Sequence, residues 1–229
     1  ESIDTFINGS VDGIILSVAE ETQKLKKYIH FEKSINYEVP MVMFDRVAKE
    51  IECDKVTVDD FEGAYKATKY LSKIGSKNIV FINPIPDISV GQLREEGYNK
   101  AVLELKYKPC VIEVNSYDLI EEALTNILKD RKIDGIVTAD EYSAILAINI
   151  ARLNGYKIPK DISIIGFTNG LMAEHSIPSL TVVSQHAENI GKLAVKTLLE
   201  RIEGKLPQNP VHEIVKTKII ERNSTKKIS

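Results

Sequence analysis

Two hydrophobic rhythms alternate along this chain. Short apolar runs rich in β-branched residues recur between turn residues, and in the segments separating them apolar positions fall three and four apart. The runs lie at Val11 to Ser17, Val39 to Phe44, Val56 to Val58, Ile79 to Ile82, Cys110 to Val114, Ile133 to Thr138, Ile162 to Ile165 and Thr181 to Val183. Each reads as a strand covered on both faces, which needs no polar side. Glu213 to Ile220 alternates instead and reads as one final strand. The helical spacing predicts helices over Ser2–Asn8, Glu20–Asn36, Phe61–Ile74, Val90–Leu105, Tyr117–Lys129, Tyr142–Leu153 and Ala187–Ile202. Gly9, Gly75, Asn154-Gly155 and Gly204 stand where four of them stop.

Strands alternating with helices of about a dozen residues predict parallel α/β sheets with right-handed crossovers. The string IDGIV at 133–137 repeats VDGII at 11–15, which points to two similar halves rather than one sheet. Polar residues close almost every strand: Ser17, Asp45-Arg46, Asn83, Asn115-Ser116, Ala139-Asp140 and Thr168-Asn169. The carboxyl ends of parallel strands are where open α/β sheets bind ligands, so two facing sheets would line a shared cleft.

Composition narrows the function by exclusion. A net charge of -3 over 229 residues gives the chain no electrostatic footprint for nucleic acid or anionic membrane. No apolar run approaches the roughly 18 residues of a membrane helix. The chain opens ESIDTFING without a Met, which reads as the start of a fragment. Cys53 and Cys110 have no metal-ligand spacing and read as free cytosolic thiols. Glycine-rich phosphate cradles and the G-x-S-x-G elbow are absent. The four histidines have no zinc-site spacing, and acidic pairs such as Asp59-Asp60 open helices, where the dipole accounts for them. Neither a catalytic constellation, nor a metal site, nor a cofactor is expected.

Binding residues are better represented. Arg94, early in a helix after a strand, can donate a planar fork to hydroxyls or a carboxylate, or pair with an acidic neighbour at the surface. Asp45 and Arg46 end a strand together, one facing a ligand and the other supporting it. Asp140 either accepts ligand hydroxyls or caps the helix that follows. Tyr117 either stacks on a flat or sugar-like ligand or covers the core.

These residues sit in a set of segments that resembles the effector-binding core of the LacI/GalR family of transcription factors, relatives of periplasmic sugar-binding proteins. The segments are VDGIILS at 11–17, VPMVMFDR at 39–46, VDDFEGAYKATKYLSKIGSKNIVFI at 58–82, REEGYNKAV at 94–102, ADE at 139–141, GYKIPKDISIIGF at 155–167 and PSLTVVSQ at 178–185. They follow the family's order over essentially the whole chain. The resemblance implies two Rossmann-like subdomains of the type I periplasmic binding protein kind, with parallel sheets flanked by helices and the ligand cleft between them. The N-terminal subdomain would comprise 1–58 and 183–206, lacking its first strand-helix-strand, and the C-terminal one 59–182 and 207–229. The DNA-binding helix-turn-helix headpiece would precede this chain.

By the same resemblance the effector pocket is lined by Ser17, Asp45, Arg46, Arg94, Tyr117, Asp140, Thr168, Asn169 and Gln185. Where the family commonly has an acid, this chain has Thr168-Asn169, and Ala139 and Val90 replace two further polar residues. A hexose held in the usual way is thereby disfavoured, and a larger, more acidic or less hydroxylated effector becomes an option. The implied function is effector sensing in a cytoplasmic, dimeric repressor, with operator DNA reached only through the headpiece. A periplasmic sugar-binding protein and a sugar-converting enzyme are the competing readings.

Overall fold

The computed structural model describes residues 11–31, 37–130, 132–168 and 170–227. The expected helix at Ser2–Asn8 lies outside them. In chain order the elements are β1 (Ile14–Leu16), α1 (Glu20–Leu25), β2 (Met41–Phe44), β3 (Asp54–Val58), α2 (Asp60–Lys73), β4 (Ile79–Asn83), α3 (Ser89–Glu104), β5 (Val111–Glu113) and α4 (Leu119–Asp130). There follow β6 (Gly135–Thr138), α5 (Glu141–Leu153), β7 (Ser163–Phe167), α6 (Leu171–His175), β8 (Thr181–Ser184), α7 (Ala187–Ile202), β9 (His212–Val215) and β10 (Lys218–Ile220).

Among the described residues, two separate sheets form. One has the order β1-β2-β3-β9, all parallel. The other has the order β10-β8-β7-β6-β4-β5, parallel except for the antiparallel β10 edge. The chain divides into two compact units, Glu1–Asp59 with Asp87–Ser89 and His186–Lys216, and Asp60–Pro86 with Val90–Gln185 and Thr217–Ser229. Each unit owns one sheet.

Strand alternation sorts the core of the second unit. Val80, Ile82, Ile136, Ile164 and Val182 fall on one face, where Leu124 and Leu128 of α4 and Ala144, Ala147 and Ile148 of α5 cover them. Ile79, Phe81, Val137, Ile165 and Val183 fall on the other, against Ala64, Ala67 and Leu71 of α2 and Tyr98 and Val102 of α3. That double covering is why these strands read as unbroken apolar runs. In the first unit, Met41 and Met43 join one cluster, and Val42, Val56 and Val58 join another with Ile190 and Ala194 of α7.

Two expectations are corrected. The helix expected over Glu20–Asn36 is interrupted after Leu25, where Lys26 turns left-handed (φ 49°) and its N–H closes on the carbonyls of Gln23 and Thr22; residues 29–31 are helical again, and 32–36 lie outside the described residues. Of the apolar residues at helical spacing there, Leu25 and Ile29 are exposed, while Tyr28 packs against the cluster of Val18, Phe31, Met41 and Met43. The strand expected over Glu213–Ile220 is two strands in two sheets: β9 extends the first sheet beside β3, and β10 pairs with β8 in the second. Residues 207–216 therefore belong to the first unit, not the second. A period-two pattern says that a segment is extended, not which edge it joins.

Candidate functional site

In the second unit, α2 and α3 approach closely enough to trap a charge pair. Gly97 lies one turn beyond Arg94, and a Cβ there would stand 2.1 Å from the Phe61 carbonyl oxygen, so only glycine permits the contact. Asp60 opens α2 beside that point. Arg94 donates from Nε to Asp60 Oδ1 at 2.7 Å, and its Nη2 meets the same oxygen at 2.6 Å. Its Nη1 donates to the Ala139 carbonyl at the end of β6 at 2.5 Å, and the guanidinium stacks 4.3 Å from the Phe167 ring centroid. Arg94 is 3% exposed and Asp60 2%. Arg94 is thus neither a surface arginine nor one reaching out alone. Its fork is held at the tips of β6 and β7 by a carboxylate, a carbonyl and an aromatic face.

Asp140 follows β6 and caps α5. Its Oδ1 accepts from the Ser143 N–H and the Ser143 hydroxyl, each at 2.8 Å. Its Oδ2 accepts from the Tyr117 hydroxyl at 2.7 Å. The capping reading is correct for one oxygen, while the other ties Asp140 to Tyr117. That tyrosine packs edge-on against Tyr142, with centroids 4.9 Å apart, and also borders the core. A carboxylate oxygen accepts more than one hydrogen bond, so Oδ2 keeps acceptor capacity beside an aromatic pair.

Thr168 follows β7, almost buried, its N–H extending the ladder to the Val183 carbonyl at 3.2 Å. Its hydroxyl accepts from the Gly170 N–H at 2.6 Å. Asn169 lies outside the described residues. Gln185 follows β8, half-buried. Arg94, Tyr117, Asp140, Thr168 and Gln185 thus all belong to the second unit, on the side where its parallel strands end.

In the first unit, Ser17 and Asp45-Arg46 stand at the same side of the other sheet. Arg46 Nε donates to Ser17 Oγ at 3.5 Å, and the Val18 N–H donates to the Arg46 carbonyl at 2.9 Å, tying the tips of β1 and β2 together. Asp45 is left-handed (φ 58°), and its N–H donates to Val56 O at 3.0 Å. Aspartate tolerates that conformation better than most residues.

Asp60, Phe167 and Tyr142 were not anticipated as site residues. Asp60 was noted only as a helix-opening acid; its burial against a residue 34 positions away leaves no local signal. Among the described residues, no three His, Cys, Asp or Glu side chains group as a metal site, and no helix is long and apolar enough to cross a membrane.

The arrangement has parallels. A profile of the periplasmic binding protein-like domain matches residues 68–225. The HTH-type transcriptional repressor PurR of Vibrio campbellii is 30% identical over 224 residues, 96% of this chain and 66% of its own length. The chain thus spans just under two thirds of that relative. A LacI family transcriptional regulator from Enterococcus faecalis with bound ribose superposes with a TM-score of 0.81 at 27% identity, over 98% of this chain and 81% of the other. The complex of the transcriptional regulator CelR with cellobiose superposes with a TM-score of 0.84 at 25% identity, over 97% and 68%.

Proposed function

We propose, for a chain that belongs to the periplasmic binding protein-like domain family, that it is the effector-sensing part of a bacterial transcriptional repressor and that its effector is a neutral, sugar-like molecule. The reading takes the strand-end residues named above as effector contacts. Binding would favour one arrangement of a cytoplasmic homodimer over another, and through a DNA-binding headpiece alter its grip on the operator.

The observation that carries the reading is the preorganised polar set at the ends of β6 and β7. Arg94, Asp140, Tyr117 and Thr168 are each held by neighbours before any ligand arrives, so ordering them on binding costs little. Charge favours a neutral effector. The Arg94 cation is already matched by Asp60, and Asp140 adds a carboxylate. A sugar acid would meet net negative charge on the set Arg94, Asp60 and Asp140, whereas hydroxyls can both donate to Asp140 and accept from the arginine fork. This revises the expectation that the loss of the family's acid at Thr168 opens the way to an acidic effector. The ribose and cellobiose bound by the similar regulators are of the neutral class. For the dimer, the exposed apolar side chains Leu119, Leu171, Met172 and Ile177 of the second unit supply surface of the kind that association covers.

The test is a thermal-shift series on the full regulator with ribose, cellobiose and other neutral sugars beside the sugar acids gluconate and glucuronate. A neutral sugar at a hundred times its dissociation constant should add about 2.7 kcal/mol. Stabilisation by the acids alone overturns the neutral-effector reading, and silence from the whole series overturns effector sensing. Sedimentation equilibrium checks the assembly: Met172→Glu should yield monomers where the parent protein is dimeric.

A further inference from the structure

The amino ends of the second unit's strands carry a different feature. A pocket of about 590 Å3 opens there, with Lys132, Asp134, Tyr156, Lys160, Asp161 and Lys226 in its lining. Lys132 and Asp134 lie just before β6, and Lys160 and Asp161 just before β7. Lys226 is brought in by the C-terminal segment, whose N–H at that residue donates to Ser163 Oγ at 3.3 Å. The residues assigned above to the effector follow β6 and β7 at their other ends, so the pocket is a separate place.

Its charges are unevenly committed. Asp134 accepts the Lys77 N–H at 2.9 and 3.1 Å through its two oxygens, and the Asn78 N–H at 2.8 Å. Asp161 accepts the Lys157 N–H at 2.7 Å. Both acids therefore face backbone donors. The three lysines have no carboxylate within ion-pair distance among the described residues, whereas Lys24, Lys66, Lys100, Lys192 and Lys196 on helices each meet a glutamate four positions away. Three lysines from three separate segments share the recess with only two carboxylates, both already engaged by backbone N–H groups, which leaves it a positive local charge that attracts anions.

We propose that this pocket binds a compact phosphorylated small molecule, independently of the effector. Its volume lies in the range of about 300–1,000 Å3 typical of small-molecule sites. Lysine contributes a point charge that suits phosphate oxygens approached from several directions, without the planar match arginine gives a carboxylate. A multivalent phosphate satisfies all three lysines at once.

The experiment is calorimetric titration of the full chain with pyrophosphate at low ionic strength, repeated with a tetraglutamate peptide. Saturable one-site binding of pyrophosphate is expected, weakened at least ~10-fold, or 1.4 kcal/mol, in Lys132→Gln/Lys160→Gln/Lys226→Gln. Lys192→Gln, outside the pocket, should bind as the parent does. Should the triple variant misfold, Lys160→Gln alone, at an exposed position, should still weaken binding measurably. Absence of saturable binding overturns the proposal, as does unchanged affinity in the lysine variants, which would mean diffuse surface attraction. Equal or tighter binding of the peptide through the same lysines overturns the phosphate assignment in favour of an acidic polypeptide. None of these results bears on neutral-sugar binding, which is read separately from the thermal shifts.

Discussion

Arg94 and Asp60 meet at 2.6 Å with both side chains nearly sealed from water. Each charge has been taken out of solvent on the strength of the other, and Phe167 and the Ala139 carbonyl complete the enclosure. Removing one partner leaves the other buried and uncompensated. Arg94→Ala should therefore cost about 3–5 kcal/mol of folding stability, independently of any ligand. Denaturation in urea checks it. Arg94→Ala combined with Asp60→Asn should cost less than Arg94→Ala alone, because no bare carboxylate remains. A loss of ligand response in Arg94→Ala consequently indicts the pocket only after the fold has been shown intact.

Asp140 separates more cleanly. Asp140→Ala removes the cap on α5 and should cost about 1 kcal/mol, within the usual 0.5–2 for such caps. Asp140→Asn keeps an acceptor for the Ser143 N–H and should leave stability nearly unchanged. Under the proposed effector reading, the Asn variant still weakens sugar binding several-fold, because a carboxylate acceptor becomes a neutral one. Comparing melting temperature with calorimetric affinity in the two variants distinguishes capping from recognition.

Asp45 tests the first unit. At φ 58° a β-branched side chain clashes with its own backbone, so Asp45→Val should destabilise by about 1–2 kcal/mol. Asp45→Asn suits the same conformation and should fold as well as the parent. If Asp45 contacts the effector as proposed, the Asn variant melts normally but shows a reduced sugar-induced shift.

The two thiols should differ in reactivity. Cys53 is buried, and desolvation pushes its thiol up to about 11, outweighing the pull of the Lys55 ammonium. At pH 8 almost none of it is thiolate, the reactive form. Cys110 is half-buried and not paired with it. A disulfide reagent at pH 8 should titrate about one thiol per native chain and two once the chain is unfolded; two fast-reacting thiols in the native protein would contradict the packing around Cys53.

Local pattern alone determined most of the fold: β4, β6, β7 and β8 were legible because strands covered on both faces must be continuously apolar, and α2, α5 and α7 because their apolar stripes and glycine stops are local. The order of motifs carried the family resemblance and the expected strand-end residues. The short α6 went unread, since five residues are too few to show a period. Long-range packing set the rest: Glu213–Ile220 splits between two sheets, Asp60 is the partner of Arg94, and Asp140 divides its oxygens between a helix cap and Tyr117. Those outcomes depend on which segments become neighbours. Period and propensity describe a residue's relation to the few beside it, whereas a buried charge pair is set by desolvation and contact across dozens of intervening positions.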